Sequence, residues 1–525
     1  MAGLPRLVTL MSSSRFFQYE TGTGELHATL RNTSDTVISE NNFTLFEVVS
    51  TRARDMVHIK SCYNNRYLRL NPTGVYIYAS ADELQEDRSE RSCTLFRVVI
   101  SGNNVRFFHQ SDNVDRAVII YQGGVLGVRQ GNQAFSLLFR DMTTFVNLPK
   151  HVMFKGNDGN YLRARKNRNL VFVANDPTDP RVHHIATLSP LSGNFSLLST
   201  RFNLYWERIN GDWLQCNSSR PFAANTVFRP VRQGFGIQNS TIALLNTNNN
   251  SYCERWTSGG NAGRIRASSS TVPPNAVLTV EETVRDRKIS DIRYHIEDAR
   301  IYNMVPLQAV NQTVFNYGYH DERQEVKFAY TEVIEEKFTS SHSWKLSVKA
   351  TIRVRLIPVI LQGKLTTTAS YGGSVEWSKM KRVERTVTGS TTATVPARSS
   401  TRVTLIVGQG SMDVPYSYRQ SDILMDGTFE EKTLHDGLFS GLSTFEFQYT
   451  IEEPQSLPRN AMPPIGHDDI VIVPGETIDL PRMAISREVD QVKVEGKEDE
   501  LVSMEEDCGG EGNEEPVPLP VPSKL

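Results

Sequence analysis

Trp344-Lys345-Leu346-Ser347-Val348-Lys349-Ala350-Thr351-Ile352-Arg353-Val354-Arg355-Leu356 alternates without a lapse: all seven even positions are apolar and all six odd positions are polar. A period of two is that of a strand with one apolar face. An apolar stretch follows, Ile357-Pro358-Val359-Ile360-Leu361-Gln362-Gly363. The alternation then resumes with the opposite parity. Leu365, Ala369, Tyr371, Val375 and Trp377 stand at odd positions; Lys364, Thr366, Thr368, Ser370, Gly372, Ser374 and Glu376 stand at even ones. The pattern is that of a long hairpin. A turn between Ile360 and Leu361 sets Trp344 opposite Trp377. Thirteen residues from Trp344 to Leu356 span roughly 40 Å, and at a tilt of about 40° they cover roughly 30 Å, the apolar thickness of a bilayer. One face then suits lipid, the Ser/Thr/Lys/Arg face suits water, and the tryptophans suit the interface. A lone hairpin leaves unpaired backbone in lipid, so several chains must each contribute one to a closed barrel. The alternative is an amphipathic hairpin lying half-buried on a soluble body. The length of the alternation and the apolar turn favour insertion, since ordinary strands average about 5–6 residues and exposed hairpins prefer Asn-Gly or Asp-Gly. The candidate membrane-contacting residues are Trp344, Leu346, Val348, Ile352, Val354, Leu356, Pro358, Ile360, Tyr371 and Trp377.

Upstream of this segment the sequence repeats itself. Leu4-Pro5-Arg6 is echoed by Leu148-Pro149-Lys150. Within the first copy, Leu45-Phe46-Glu47-Val48-Val49 returns as Leu95-Phe96-Arg97-Val98-Val99. A further relative, Val227-Phe228-Arg229-Pro230-Val231, lies in the second copy, and Arg66-Tyr67-Leu68-Arg69 resembles Asn160-Tyr161-Leu162-Arg163. Domains of roughly 145 residues built from three units of roughly 45–50 are what a β-trefoil requires. Helical periodicity is nearly absent. The expected architecture is therefore all-β: trefoils over 1–147 and 148–285, then an elongated antiparallel β domain over 286–486. There Ser290-Asp291-Ile292-Arg293-Tyr294-His295-Ile296 alternates as a half-buried strand does. Residues 487–525, ending in Glu514-Glu515-Pro516-Val517-Pro518-Leu519-Pro520-Val521-Pro522, read as a disordered acidic tail.

The 525 residues carry a formal net charge of −2. This is a cancellation: Arg487 to Leu525 holds 12 acidic and 4 basic residues, and the rest of the chain is mildly basic. No apolar run is long enough for a membrane helix. Met1-Ala2-Gly3-Leu4-Pro5-Arg6 does not resemble a secretory leader, so a cytoplasmic location is expected, with membrane association after oligomerisation. The terminal Ser523-Lys524-Leu525 is also readable as a peroxisomal address. Cys62, Cys93, Cys216, Cys253 and Cys508 form no CxxC pair and no zinc pattern, which suits free thiols in a reducing compartment.

No GxSxG, HExxH or phosphate-binding loop is present. Glu335-Glu336 and Glu452-Glu453 are neighbours on strands and face opposite sides, unlike an acid/base pair. His183-His184 lies beside an apolar strand and carries little sign of a metal site. Neither enzyme activity, a metal, a cofactor nor nucleic-acid binding is expected.

Val57-His58-Ile59-Lys60-Ser61, Asn65-Arg66-Tyr67-Leu68, Cys93-Thr94-Leu95-Phe96 and Arg255-Trp256-Thr257-Ser258-Gly259 resemble the agglutinin domains of the amaranthin-type plant lectins. The hairpin with Ile357-Pro358, together with Val395-Pro396 and Asp413-Val414-Pro415-Tyr416, resembles the aerolysin-type pore-forming module. Plant proteins joining the two modules exist. The resemblance implies trefoil lectins that dimerise head to tail and bind galactose or N-acetylgalactosamine disaccharides at a shallow site between subunits. It further implies oligomerisation and insertion of 344–377 as a β-barrel pore in defence or stress; the alternative is a non-lytic stress or storage lectin whose last module only oligomerises. The implied partners are glycans on glycoproteins or glycolipids, membrane lipid and further copies of the chain. The family loop Asn-His-Tyr-Trp corresponds to Thr73, Gly74, Val75 and Tyr76, which lacks the amide and one aromatic and argues against the family's disaccharide specificity. The candidate carbohydrate residues are Thr73, Gly74, Tyr76, Trp256, Thr257 and Ser258. Trp256 suits either sugar stacking or a trefoil core.

Overall fold

In the computed structural model the described residues are 3–462, apart from 14, 30–41, 54, 73, 190–192, 234–240, 341–350, 362, 370–373 and 377–378. Among them are strands and short 3-10 turns and no α-helix.

Strands Leu7–Ser12, Phe46–Ser50, Met56–Ser61, Phe96–Ser101, Asn104–Ser111 and Leu137–Asp141 pair each with the next, and the last returns to the first. They close a six-stranded barrel. Three hairpins cap one end: Arg15–Tyr19 with Leu26–Thr29, Tyr67–Leu70 with Ile77–Ala81, and Val114–Ile120 with Leu126–Gln130. Bridges Glu25↔Tyr78, Tyr76↔Gly127 and His27↔Val125 join the hairpins around a threefold axis. Barrel plus hairpin triplet is a β-trefoil. The same plan recurs in a second barrel, from His151–Lys155 to Leu278–Glu282, again closed last strand to first.

The sequence echoes are repeated barrel strands. Phe46, Phe96 and Phe228 each open the fourth strand of a unit and are fully buried. One apolar ring per unit points inward, and three units enclose what one leaves exposed. Trp206 fills the second core, at 0 % exposure.

The third domain is made of much longer strands. Ser399–Leu424, 26 residues, spans roughly 85 Å at about 3.3 Å per residue. It pairs antiparallel with Val284–Tyr294, Arg300–Asn316 and Phe429–Ile451. Glu322–Ser340 and Met380–Val395 form a second long ladder, which joins the sheet through Phe429–Ile451. Two apolar clusters fill the domain. One surrounds Val326, Phe328, Val403 and Leu405. The other gathers Met412, Val414, Tyr416, Phe439 and Phe445.

Each trefoil meets this domain through a buried charge. At the first, Asp298 is 1 % exposed and accepts hydrogen bonds from the Tyr19 hydroxyl (2.6 Å), the Gly22 amide (2.9 Å) and the Tyr63 hydroxyl (3.2 Å). Burial and this carboxylate push both phenols well above the usual tyrosine range. Arg300 stacks on Tyr67 and Tyr302 and donates to the Asp82 carbonyl. At the second trefoil, Arg287 is held between Glu282 (3.0 Å) and Asp422 (2.6 Å), all three nearly buried. A cavity of about 590 Å³ opens beside it, lined among others by His151, Tyr418, Glu430 and Leu434.

Candidate functional site

The hairpin is folded down onto the third domain. Thr351–Arg353 pairs with Ser374–Glu376, and Leu356–Leu361 with Lys364–Ala369. Ile352, Val354, Ile357, Val359 and Ile360 join the cluster of Met412, Val414, Tyr416, Phe439 and Phe445. At roughly 1.5–3 kcal/mol per fully buried aliphatic side chain, this contact is strong. The Tyr294 hydroxyl donates to the Leu356 carbonyl at 3.0 Å. Tyr294 opens the same short connection that carries Asp298, so the segment under the hairpin is also the one gripped by the first trefoil.

Two sequence expectations change here. The chain does not reverse between Ile360 and Leu361: Leu361 pairs with Lys364, and Gly363, at φ 73°, takes the corner. Left-handed φ suits glycine and not β-branched Ile360, and burial of Ile357 to Ile360 holds that stretch as strand. With the turn moved, Ile352 lies opposite Val375, so the symmetry that placed Trp344 opposite Trp377 is not the pairing of this hairpin. The strict alternation also ends at Leu356, which is 51 % exposed, while Ile357, Pro358, Val359 and Ile360 are all buried. Neighbouring strand residues face opposite sides, so both faces of this piece are covered. Ile352, Val354, Pro358 and Ile360 are thus core residues of the folded chain. Trp344, Leu346, Val348, Tyr371 and Trp377 lie outside the described residues.

The carbohydrate candidates fall on the hairpin caps of the trefoils. Thr73 lies outside the described residues. Gly74 is half-buried, and its carbonyl accepts from Arg91 Nη2 at 2.7 Å. Tyr76 is half-buried and packs edge-to-face on Tyr121, ring centroids 5.3 Å apart. Gly127 makes this possible: a Cβ there would lie 2.6 Å from the Val75 carbonyl oxygen and 2.7 Å from the Tyr121 ring. Trp256 is half-buried on the second cap, edge-to-face with Trp213 at 6.0 Å, and Thr257 and Ser258 are exposed beside it. The trefoil core is filled by Trp206 instead.

The two caps superimpose in their bonding. Tyr76↔Gly127 corresponds to Trp213↔Arg266, and the Tyr121 amide bonded to the Val125 carbonyl corresponds to the Trp256 amide bonded to the Arg264 carbonyl. Tyr121 and Trp213 were thus the residues missed by sequence reasoning. Their signal is the unit spacing: Trp213 precedes Trp256 by 43 residues, as Tyr76 precedes Tyr121 by 45. Tyr76 and Trp256 themselves sit on different domains, so within one chain each faces its own surroundings.

His183 and His184 are structural. His184 is fully buried, accepts from Trp206 Nε1 at 3.2 Å, and is pushed down to about 3 by burial. His183 is bonded to the Pro177 carbonyl. Glu335 and Glu336 do face opposite ways: Glu335 pairs with Arg382, whereas Glu336 is 0 % exposed.

The Agglutinin domain family model matches residues 2–114 and 146–282, one match on each trefoil. The chain carries two Agglutinin domains. The amaranthin-type resemblance therefore holds over the two trefoils, and the family of these two domains is a carbohydrate-binding, non-enzymatic one. No curated protein matches it. Solved structures that it resembles include the designed threefold-symmetric protein ThreeFoil, with 11 % identity over 25 % of this chain and 98 % of that one, TM-score 0.22. A mosquitocidal holotoxin shares 7 % identity over 56 % of this chain and 36 % of its own, TM-score 0.26. Lamprey immune protein shares 10 % over 78 % of this chain and 98 % of its own, TM-score 0.27. Parasporin-2 of Bacillus thuringiensis, a toxin that recognises cancer cells, shares 17 % over 32 % and 74 %, TM-score 0.18. At such scores none of the four bears on mechanism.

Proposed function

We propose that this chain binds galactose- or N-acetylgalactosamine-type glycans through its trefoil caps, oligomerises, and inserts residues 344–377 into a membrane as one hairpin of a β-barrel pore, in defence or stress. One observation supports the insertion step above the others: the register of the ladder beneath the hairpin. Glu322↔Val395 to Lys337↔Met380 is sixteen pairs without a slip. Continued upward, that register places Leu346 opposite Tyr371, Ile352 opposite Leu365 and Leu356 opposite Leu361, with the apex at Pro358-Val359. Leu346 then meets Tyr371, Val348 meets Ala369, Ile352 meets Leu365 and Leu356 meets Leu361, with Thr367 and Gly363 opposite Ala350 and Val354, and proline stands at the tip, where its missing N–H costs no ladder bond. The folded hairpin uses a different register. Fourteen residues separate Lys337 from Thr351, but only four separate Glu376 from Met380. Extension therefore requires a slip along the strand. The tip pairing and the extended pairing differ by an even number of residues, so each side chain keeps its face. The stowed state buries Ile352, Val354, Val359 and Ile360 against protein; the extended one would bury the apolar face against lipid.

A leakage assay on vesicles bearing terminal galactose tests this. Ile352→Asp with Val354→Asp should abolish dye release, because two adjacent carboxylates on a lipid face oppose insertion, each by somewhat less than the roughly 2–4 kcal/mol of a lysine or arginine at the midplane. Full release by that variant would refute insertion and leave a lectin whose third domain only oligomerises.

A further inference from the structure

The matching bonds of the two caps identify equivalent positions, and at two of them the domains differ sharply. Where the first trefoil has Val125 and Gly127, the second has Arg264 and Arg266. Where the first turn of the first trefoil reads Glu20-Thr21-Gly22-Thr23-Gly24, that of the second reads Arg165-Lys166-Asn167-Arg168. The first cap's turn is engaged by the third domain through the Gly22 amide, whereas Arg165, Lys166 and Arg168 are exposed.

The arginines are held in place without being neutralised. Arg264 lies 4.3 Å over the Trp213 ring and donates to the side-chain carbonyls of Asn261 (2.9 Å) and Asn169 (3.2 Å), both uncharged. Its Nε is buried without a hydrogen-bond partner. Arg266 stands over both tryptophans, 5.5 Å from Trp213 and 5.3 Å from Trp256, and donates to the Gly211 carbonyl. The carboxylate facing it, Asp212, is 3.9 Å away and pairs more closely with Arg208, at 2.8 Å. Asn169 directly follows the Arg165–Arg168 turn, so the exposed cations border the stacked ones. A guanidinium fixed by neutral acceptors, as that of Arg264 is, keeps its charge for an outside anion, and guanidinium groups suit planar or tetrahedral oxyanions in particular.

We propose that the hairpin cap of the second trefoil is a binding site for acidic glycans, saccharide chains carrying carboxylate or sulfate groups. Arg264 and Arg266 take the anionic oxygens and Arg165, Lys166 and Arg168 extend the contact along the chain. The proposal rests on the lectin reading but not on pore formation. Because Arg264 and Arg266 lie over the tryptophan rings, bases have no bare stacking surface, which disfavours nucleic acid.

Retention of the full-length protein on immobilised polygalacturonate, dextran sulfate and neutral galactan tests the site and separates carboxylate from sulfate. Wild type should be held by at least one polyanion at about 50 mM salt and released near about 500 mM, as screened charge contacts are. Arg165→Glu with Lys166→Glu, both in an exposed turn, should weaken that retention about tenfold or more while galactan binding and vesicle leakage stay unchanged. Arg264→Gln should act in the same direction, with folding checked by its melting temperature; the exposed pair stands as the test if it misfolds. The proposal is overturned if wild type is held by neither polyanion, or if the charge-reversed pair is held as well as wild type. It is overturned equally if DNA or phosphatidylserine vesicles are bound as tightly and through the same residues, which would make the patch a general cationic surface. Loss of galactan binding or leakage in wild type would count against the proposed function instead.

Discussion

At the scale of single residues, two buried carboxylates carry opposite energetics. Asp298 receives three donors from the first trefoil, and truncating it leaves those donors without a partner in a dry interface. Asp298→Ala should cost about 2–4 kcal/mol in denaturant unfolding, and Asp298→Asn less, because the amide oxygen still accepts. Equal midpoints for all three proteins would show that the interface is wet or loose. Glu336 is the reverse case. It is fully buried opposite Lys381, and neither of its carboxylate oxygens has a hydrogen-bond partner. Burial raises its pKa above the ordinary 4.5, against the pull of Lys381. A carboxyl whose folded value is raised binds its proton more tightly when folded. Its penalty is therefore present above the folded-state value, shrinks as pH falls through it, and is gone below about 4.5. Glu336→Gln should raise the melting temperature at neutral pH, and the gap from wild type should close on acidification. Parallel curves for the two proteins across that range would remove Glu336 from the account.

At the scale of elements, the hairpin can be locked by its own register. Val359 and Thr366 are directly paired in the folded tip, whereas the extended ladder places Val359 at the apex opposite Pro358. A disulfide between Val359→Cys and Thr366→Cys fixes the first arrangement. Oxidised protein should bind galactan normally yet release no dye, and a reductant should restore release. Leakage from the verified oxidised form would mean that insertion needs no slip. The same elements show what was legible in the sequence. The trefoil strands were readable because Phe46, Phe96 and Phe228 occupy one repeated, fully buried position, and repetition survives where single-strand signals are short. The hairpin's parity was readable because period two is strict from Trp344 to Leu356. Its turn was not, because apolar residues at a membrane tip and in a buried strand look alike; only tertiary burial and the left-handed corner at Gly363 separate them. Trp213 and Tyr121 were hidden for a related reason: their edge-to-face partners are 43 and 45 residues away along the chain, close only once the hairpins meet around an axis.

At the scale of the whole molecule, the third domain is restrained from two sides, and the two restraints differ in kind. The first trefoil holds the Tyr294–Met304 region that lies under the hairpin, so that contact bears on release. The second holds the beginning of the strand that ends at Tyr294, through Arg287, which bridges Glu282 of the last barrel strand and Asp422 of the long central strand. Beside the ion triad, Met425 rests against Met153 and Val182. Arg287→Ala would leave two nearly buried acids facing each other without a cation, a loss of about 3–5 kcal/mol at this interface. The trefoil closes its barrel without the third domain's strands, so it should survive the loss. Calorimetry of Arg287→Ala should therefore resolve a trefoil transition from an earlier one of the third domain, with galactan binding retained through the first step. A single transition at the wild-type temperature would show that the cavity beside Arg287 already admits enough water to solvate the acids. In that case the grip on the third domain would fall to Asp298 with its three donors, to Arg300, and to the Glu430 contacts of Lys150 and His151. Glycan binding on the first trefoil would then have a direct mechanical route to the hairpin.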